Sequence, residues 1–272
     1  MMRFLRKIYY FIPFELRNLI RLIFAIPNDI KYIFARKKNL VPPKRLRNIG
    51  KGDFLEIGNK FFNHIIENTK INPKTKVLEI GCGCGRISAP FTKFLEKPGR
   101  YTGFDILPSP IKWCKKNYSE YEIFEFDYCP IKNDLYNPYG KISAAEFKFP
   151  YPENTFDLII SISVFTHMQK NETENYFSQI PKLLKTSGIL YASFFILSNK
   201  QKSDFFPYDN GDILLHNKIV PSANVAYRLD YIEKLAVING LKISKIEEGW
   251  WKFGKKIENF IDFQDILIFE KQ

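Results

Sequence analysis

The spacing of apolar and polar positions divides the chain into short strands and helices in alternation. KVLEIG (76–81), RYTGFDI (100–106), YEIFEFD (121–127), FDLIISIS (156–163) and GILYASFFIL (188–197) are nearly continuous apolar runs. That is the pattern of strands buried on both faces. Residues 60–70, 86–97, 109–118, 172–186 and 227–239 carry apolar side chains at helical spacing, the helix over 172–186 ending at Gly188. LKISKIEEGW (241–250) and DFQDILIFEK (262–271) read as two closing strands. Strands and helices alternating at this spacing predict an α/β fold, a Rossmann-like doubly wound sheet with helices on both faces. Ligands of such sheets bind beyond the carboxyl ends of the strands, so chemistry is sought just after each one. An aromatic-rich stretch (128–155) and a polar one (198–226) show no period and read as loop insertions.

Residues 1–41 follow a different pattern. Leu16, Leu19, Ile20, Ile23 and Phe24 recur at helical spacing, with Arg17 and Arg21 on another face. Pro13 suits the start of this helix and Pro27 its end. No uncharged run here reaches the ~18 residues of a membrane-spanning helix. Glu15, Arg17 and Arg21 interrupt any signal-peptide core. The segment reads as a basic amphipathic arm, either lying in a membrane interface or packed on the body with its arginines in water.

Charge sharpens this division. Residues 1–51 hold 13 Lys or Arg against Glu15 and Asp29, a net +11, out of +12 for all 272 residues. A polyanionic partner is therefore expected at the arm, with the body nearly neutral. Four cysteines without CxxC spacing and three scattered histidines give no zinc site or disulfide framework, so no metal is expected and a reducing cytoplasm fits.

The first strand runs into EIGCGCGR (79–86). Gly81, Gly83 and Gly85 allow the backbone to approach a ligand and then enter a helix. A dinucleotide site would read GxGxxG, and a P-loop would need GxxxxGK before Ser or Thr; Arg86 and the GxGxG spacing fit neither. Glu79 suits a ligand carrying an ammonium group. Asp105, at the end of the second strand, can accept both hydroxyls of a ribose, and Asp127, at the end of the third, an adenine amino group. Together they ask for an adenosine without phosphates and with a cationic tail, a description that S-adenosylmethionine meets.

EIGCGCG, GFDI, FEFD and KLLKTSGIL resemble the class I S-adenosylmethionine-dependent methyltransferases. The resemblance covers residues 42–272. PPKRLRNIGKGDF (42–54), LYNPYGKISAAEFKFPYPENTFD (135–157) and SVFTHM (163–168) are similar to a bacterial subgroup acting on small molecules or glycans. It implies a seven-stranded sheet with an antiparallel last strand. It also implies that Gly81 and Gly83, with Cys82 and Gly85 in the same loop, pack on the methionine portion. Asp105 would hold the ribose, Ile106 lie on the adenine, Asp127 meet the adenine edge, and Ser163 complete the cofactor site.

His167 follows the fourth strand, where an acceptor would approach, and is a candidate base for a hydroxyl proton; the competing reading is a histidine that only shapes the pocket. NPYG (137–140) reads as a turn, since the amino-methyltransferase signature it evokes belongs after strand four. Cys82 and Cys84 read as small loop residues. The aromatics of 128–155 suit either a stacking surface or a local core. Residues 42–75 are expected to form a lid and first helix, with Gly50 and Gly52 as hinges and Arg47 and Asp53 touching the ligands. The expected acceptor is a hydroxyl of a glycan, lipid-linked sugar or other small molecule, met in the cytoplasm at the anionic inner face of the membrane through residues 1–38. RNA methylation is the alternative, with the arm on phosphates, although so many Ile, Leu and Phe speak against nucleic acid. Cofactor binding without catalysis and an NAD-dependent oxidoreductase are the remaining readings.

Overall fold

A computed structural model describes residues 10–34, 40–47, 52–257 and 260–272. The arm residues 1–9 and 35–39, and the hinge glycine 50 within 48–51, lie outside the described residues.

Seven strands form the central sheet: β1 Lys76–Ile80, β2 Arg100–Asp105, β3 Phe124–Tyr128, β4 Phe156–Ser161, β5 Leu184–Phe194, β6 Leu241–Glu247 and β7 Asp265–Lys271. Their order across the sheet is β6-β7-β5-β4-β1-β2-β3. Strands β1 to β5 pair in parallel, while β7 lies antiparallel between β5 and β6. The order reverses between β1 and β4, which places the switch point directly over the glycine loop. β1 and β4 are apolar because both faces are covered: Val77, Leu78, Leu158, Ile159 and Ile160 have no solvent exposure.

The helices are α1 Phe14–Phe34, α2 Phe54–Asn68, α3 Ser88–Phe91, α4 Pro108–Asn117, α5 Lys170–Leu183 and α6 Leu229–Ile238. Three sequence expectations need correction. α1 continues through Pro27 to Phe34 rather than stopping at the proline. The helix expected over 86–97 shrinks to α3, because Pro90 lacks an N–H and the following amides turn back onto carbonyls three residues earlier. β5 begins at Leu184, so the helix before it ends well short of Gly188.

The polar stretch after β5 is also more than a loop. Ile196–Leu197, Tyr208–Asn210, Ile213–Leu215 and Val225–Arg228 form a second, four-stranded sheet. Phe195, Phe206 and Trp251 cluster beneath it.

Candidate active site

A cavity of about 1100 Å³, its open mouth included, lies beyond the carboxyl ends of β1, β2 and β4. One half is built by the glycine loop. Gly81, Gly83 and Gly85 all adopt positive φ (74°, 51° and 74°), the region that glycine enters without steric cost. A Cβ on Gly81 would stand 2.5 Å from Cγ2 of Val164, and one on Gly85 would stand 2.6 Å from the Tyr118 hydroxyl. The amides of Gly81 and Cys82 both donate to the Phe104 carbonyl, tying the loop to β2.

Asp105 stands opposite this loop. Its carboxylate accepts from the Gly83 amide (2.8 Å) and the Leu107 amide (2.8 Å). Burial pushes its pKa up to about 6, although the amides of Leu107, Gly83 and Ile106 favour the charged form. Glu79 accepts from the Ser88 hydroxyl (2.8 Å) and the Tyr101 hydroxyl (2.7 Å). Burial raises it to about 7, against those hydroxyls and the nearby Arg86 charge. Arg86 also lines the cavity, and its Nε is buried without a hydrogen-bond partner. Burial lowers its pKa. A buried carboxylate and a guanidinium with an open Nε on one wall suit a zwitterionic amino-acid tail.

The other half of the cavity is built by the turn after β4 and by the two inserted stretches. Ser163 holds a positive φ of 58° without being glycine. Its amide donates to Ser193 Oγ (2.7 Å) and its hydroxyl to Gln264 Oε1 (3.1 Å); the Ser193 hydroxyl donates to the same Gln264 oxygen (2.6 Å). This network holds the turn in a conformation that would otherwise be unfavourable. His167 is half-buried, and its partial removal from water lowers its pKa. Its Nδ1 lies 2.8 Å from the Ser222 carbonyl, which fixes the proton on Nδ1. Nε2 then carries the lone pair and lies 3.4 Å from the Tyr136 hydroxyl. Tyr136, Asn133, Met168, Glu172 and Tyr176 line the space around it.

Glu79, Gly81, Cys82, Gly83, Asp105, Ile106, Ser163 and His167 therefore share one cavity. Asp127 does not join them: it lies outside the lining and accepts from the Tyr151 hydroxyl (3.2 Å). Gly85 supports the loop from behind, its carbonyl accepting from Tyr118 (2.8 Å). In the expected lid, Leu46 reaches the cavity and its carbonyl accepts from Cys84 Sγ. Arg47 and Asp53 do not reach it. Asp53 caps α2 by accepting from the Leu55 and Glu56 amides, and the Arg47 guanidinium donates to the Pro42 carbonyl. Residues 137–140 close a turn, the Gly140 amide donating to the Asn137 carbonyl. The inserted aromatics divide: Phe147 and Phe149 pack with Phe104 and Tyr176 as a local core, while Tyr136 faces the cavity. Cys84 is held inert, its thiol pushed by burial to about 12. Among the described residues, no group of three or more His, Cys, Asp or Glu is placed to hold a metal.

Arg86, Gln264, Ser222 and Leu46 were not singled out as site residues from sequence. Arg86 was legible from its place after the third glycine. Gln264 and Ser222 act from 101 and 55 residues away, where no local pattern marks them.

Comparison with known proteins agrees with this geometry. Residues 78–192 match the family model described as a methyltransferase domain. A sterol 24-C-methyltransferase of Pneumocystis carinii is 28% identical over 69% of the chain and 43% of that protein. The tRNA N(3)-cytidine methyltransferase METTL2 of Xenopus tropicalis is 25% identical over 42% of the chain and 32% of that protein. The chain thus spans less than half the length of these relatives. Among solved structures, a SAM-dependent methyltransferase from Methanosarcina mazei superposes with a TM-score of 0.51 at 16% identity, covering 76% of this chain and 96% of that one. The [4+2]-cyclase SpnF gives 0.55 at 14% identity, covering 83% and 84%. A fold shared with a cyclase does not by itself fix a reaction. The matched domain, the bare glycine loop, the ribose-competent Asp105 and the zwitterion-competent Glu79 and Arg86 agree on the cofactor, S-adenosylmethionine. Residues 78–192 thus carry a methyltransferase domain, set in the Rossmann-like seven-stranded fold of the class I S-adenosylmethionine-dependent methyltransferases.

Proposed function

We propose that the chain methylates a hydroxyl of a glycan, a lipid-linked sugar or another small lipid-like molecule, presented at the cytoplasmic face of an anionic membrane. The observation that carries this reading is the pairing of the two cavity halves. The cofactor wall faces a partly apolar space in which His167 has its pKa lowered and presents the Nε2 lone pair beside the Tyr136 hydroxyl. The resemblance to a bacterial subgroup acting on small molecules or glycans supports it. So does the apolar lining of that space by Ile131, Ala144 and Met168. No helix among the described residues is long and apolar enough to cross a membrane.

S-adenosylmethionine, when bound, supplies a methyl group on a positively charged sulfur. Asp105 would hold the ribose hydroxyls, Ile106 the adenine face, and Glu79 and Arg86 the ammonium and carboxylate of the tail. Ser163 and Val164, held by the Gln264 network, shape the boundary between cofactor and acceptor. Nε2 of His167 would accept the hydroxyl proton as the oxygen is methylated. Alignment of the reacting groups can supply ~7–11 kcal/mol of such a barrier.

A second reading rests on the net +11 of residues 1–51 and on the tRNA-acting relative. In it the acceptor is RNA. Incubating the full chain with methyl-labelled cofactor and fractionated host lysate separates the two. Label in the lipid or glycan extract is expected. Label in RNA would overturn the first reading. Tight cofactor binding with no label in any fraction would make this a non-catalytic cofactor-binding protein.

A further inference from the structure

Helix α1 faces the opposite way from a surface helix of an ordinary globular protein. Arg17 and Asp29 are only 6% exposed and Ala25 is 3% exposed, and these positions lie every four residues on the side turned toward the body. Asp29 accepts from the Arg45 guanidinium (3.2 Å), and Glu15 accepts from the Tyr139 hydroxyl. Phe14 packs edge-on against Tyr139. The other side carries Leu16, Leu19, Ile23, Ile26 and Ile30, spaced three and four apart, all exposed, Ile23 to 53%. Phe24, 75% exposed, stands beside them. A soluble helix normally buries such a stripe.

We infer that this outward stripe is a docking surface for an anionic lipid bilayer, with α1 lying in the plane of the interface. Charge decides between the candidate occupants. α1 lies within residues 1–51, a segment of net +11, and most of that charge sits in the stretches of sequence before and after the helix. Two copies stacked through this face would bring two such segments together, whereas an anionic bilayer attracts them. Nucleic acid offers phosphates, which five aliphatic side chains cannot pair. An apolar stripe with basic flanks is the composition of an interfacial helix.

The position of α1 gives the docking a consequence for the active site. At one end it meets the turn containing Tyr139, next to the Asn133 and Tyr136 that line the cavity. At the other it meets Arg45, next to the cavity residue Leu46. The helix thus bridges two walls of the cavity, and docking would hold the mouth at the lipid surface. The docking stands independently of the chemistry proposed above. The acceptor class it favours, an amphiphile that stays partly in the bilayer, rests on that reading.

Flotation of the full chain tests this, using vesicles of phosphatidylcholine alone and vesicles containing phosphatidylglycerol. The chain should float with the anionic vesicles and at least tenfold less with the neutral ones. The variant L19N/I23N/I26N keeps the net charge and alters only exposed positions outside the cavity lining. It should lose at least tenfold of the binding while keeping its thermal unfolding and cofactor affinity. Equal flotation of variant and parent, or no flotation of the parent, would overturn the inference. A vesicle-free dimer abolished by the same three substitutions would assign the stripe to a second copy instead. A parent that fails to float yet transfers label to a small molecule would sink the docking and leave the methyl transfer standing.

Discussion

Two ionisable side chains in the cavity, Glu79 and His167, carry different pH consequences. The folded-state pKa of Glu79 lies near 7 against an ordinary 4.5, so the folded chain binds its proton more tightly than the unfolded one. Stability from this group is therefore present below pH 4.5 and lost as pH rises toward 7, by roughly 3 kcal/mol at most. Glu79→Gln should raise the melting temperature of the cofactor-free chain at pH 8, change it little at pH 4.5, and weaken cofactor binding chiefly at pH 8. A variant whose melting temperature differs from the parent's by the same amount at the two pH values would show that Glu79 does not carry this pH dependence. Asp105→Asn removes a charged acceptor. At ~1.5–3 kcal/mol for such bonds, cofactor affinity measured by calorimetry should fall ten- to hundredfold. His167 has its pKa depressed by burial, so turnover should stay level above pH 6.5 and decline only in more acid solution. His167→Ala should lower turnover ~10²-fold or more with cofactor affinity preserved; unchanged turnover would remove it as the base.

At the scale of elements, the glycine loop and the arm behave differently. Gly81→Ala forces a side chain into the left-handed region, costing about 1–2 kcal/mol, and drives a methyl into Val164. Gly81→Ala with Val164→Ala should relieve the contact but not the backbone cost, so thermal unfolding should recover only in part. Removal of residues 1–38 takes away α1 and should leave cofactor binding intact. Removal of 1–54 also takes Leu46 from the cavity wall and the Asp53 cap from α2, and should abolish it. Equal cofactor binding by both truncations would dismiss residues 42–54 as a lid. The elements legible in the sequence were those whose environment is uniform along their length. β1 and β4 are covered on both faces and so read as unbroken apolar runs, and the loop between β1 and α3 is marked by glycines that no other residue could replace. Amphipathic spacing showed that α1 is a helix, but not which side faces the body, because the buried side carries the charged Arg17 and Asp29, and Asp29 pairs with Arg45 from outside the helix. The second sheet went unread because its strands are two to four residues long, too short for alternation to show. Asp127 stands on its strand as read, and the Tyr151 hydroxyl from the inserted stretch donates to one of its carboxylate oxygens.

For the whole molecule, a cofactor that binds only the folded chain adds about 2.7 kcal/mol at a hundredfold excess over its Kd. S-adenosylmethionine should therefore raise the melting temperature by several degrees, and NAD should not. A matching rise with NAD would contradict the cofactor assignment. The two cavity halves also have different origins in the chain. Glu79, the glycines and Asp105 belong to the first two strands and the turns after them. Tyr136 and the carbonyl that sets the His167 tautomer come from the two insertions. On the proposed reading, the donor side is built on the central sheet and part of the acceptor side on the two inserted stretches. Substitutions at Tyr136 or around Ser222 would then change which acceptor is taken before they loosen the grip on the methyl donor.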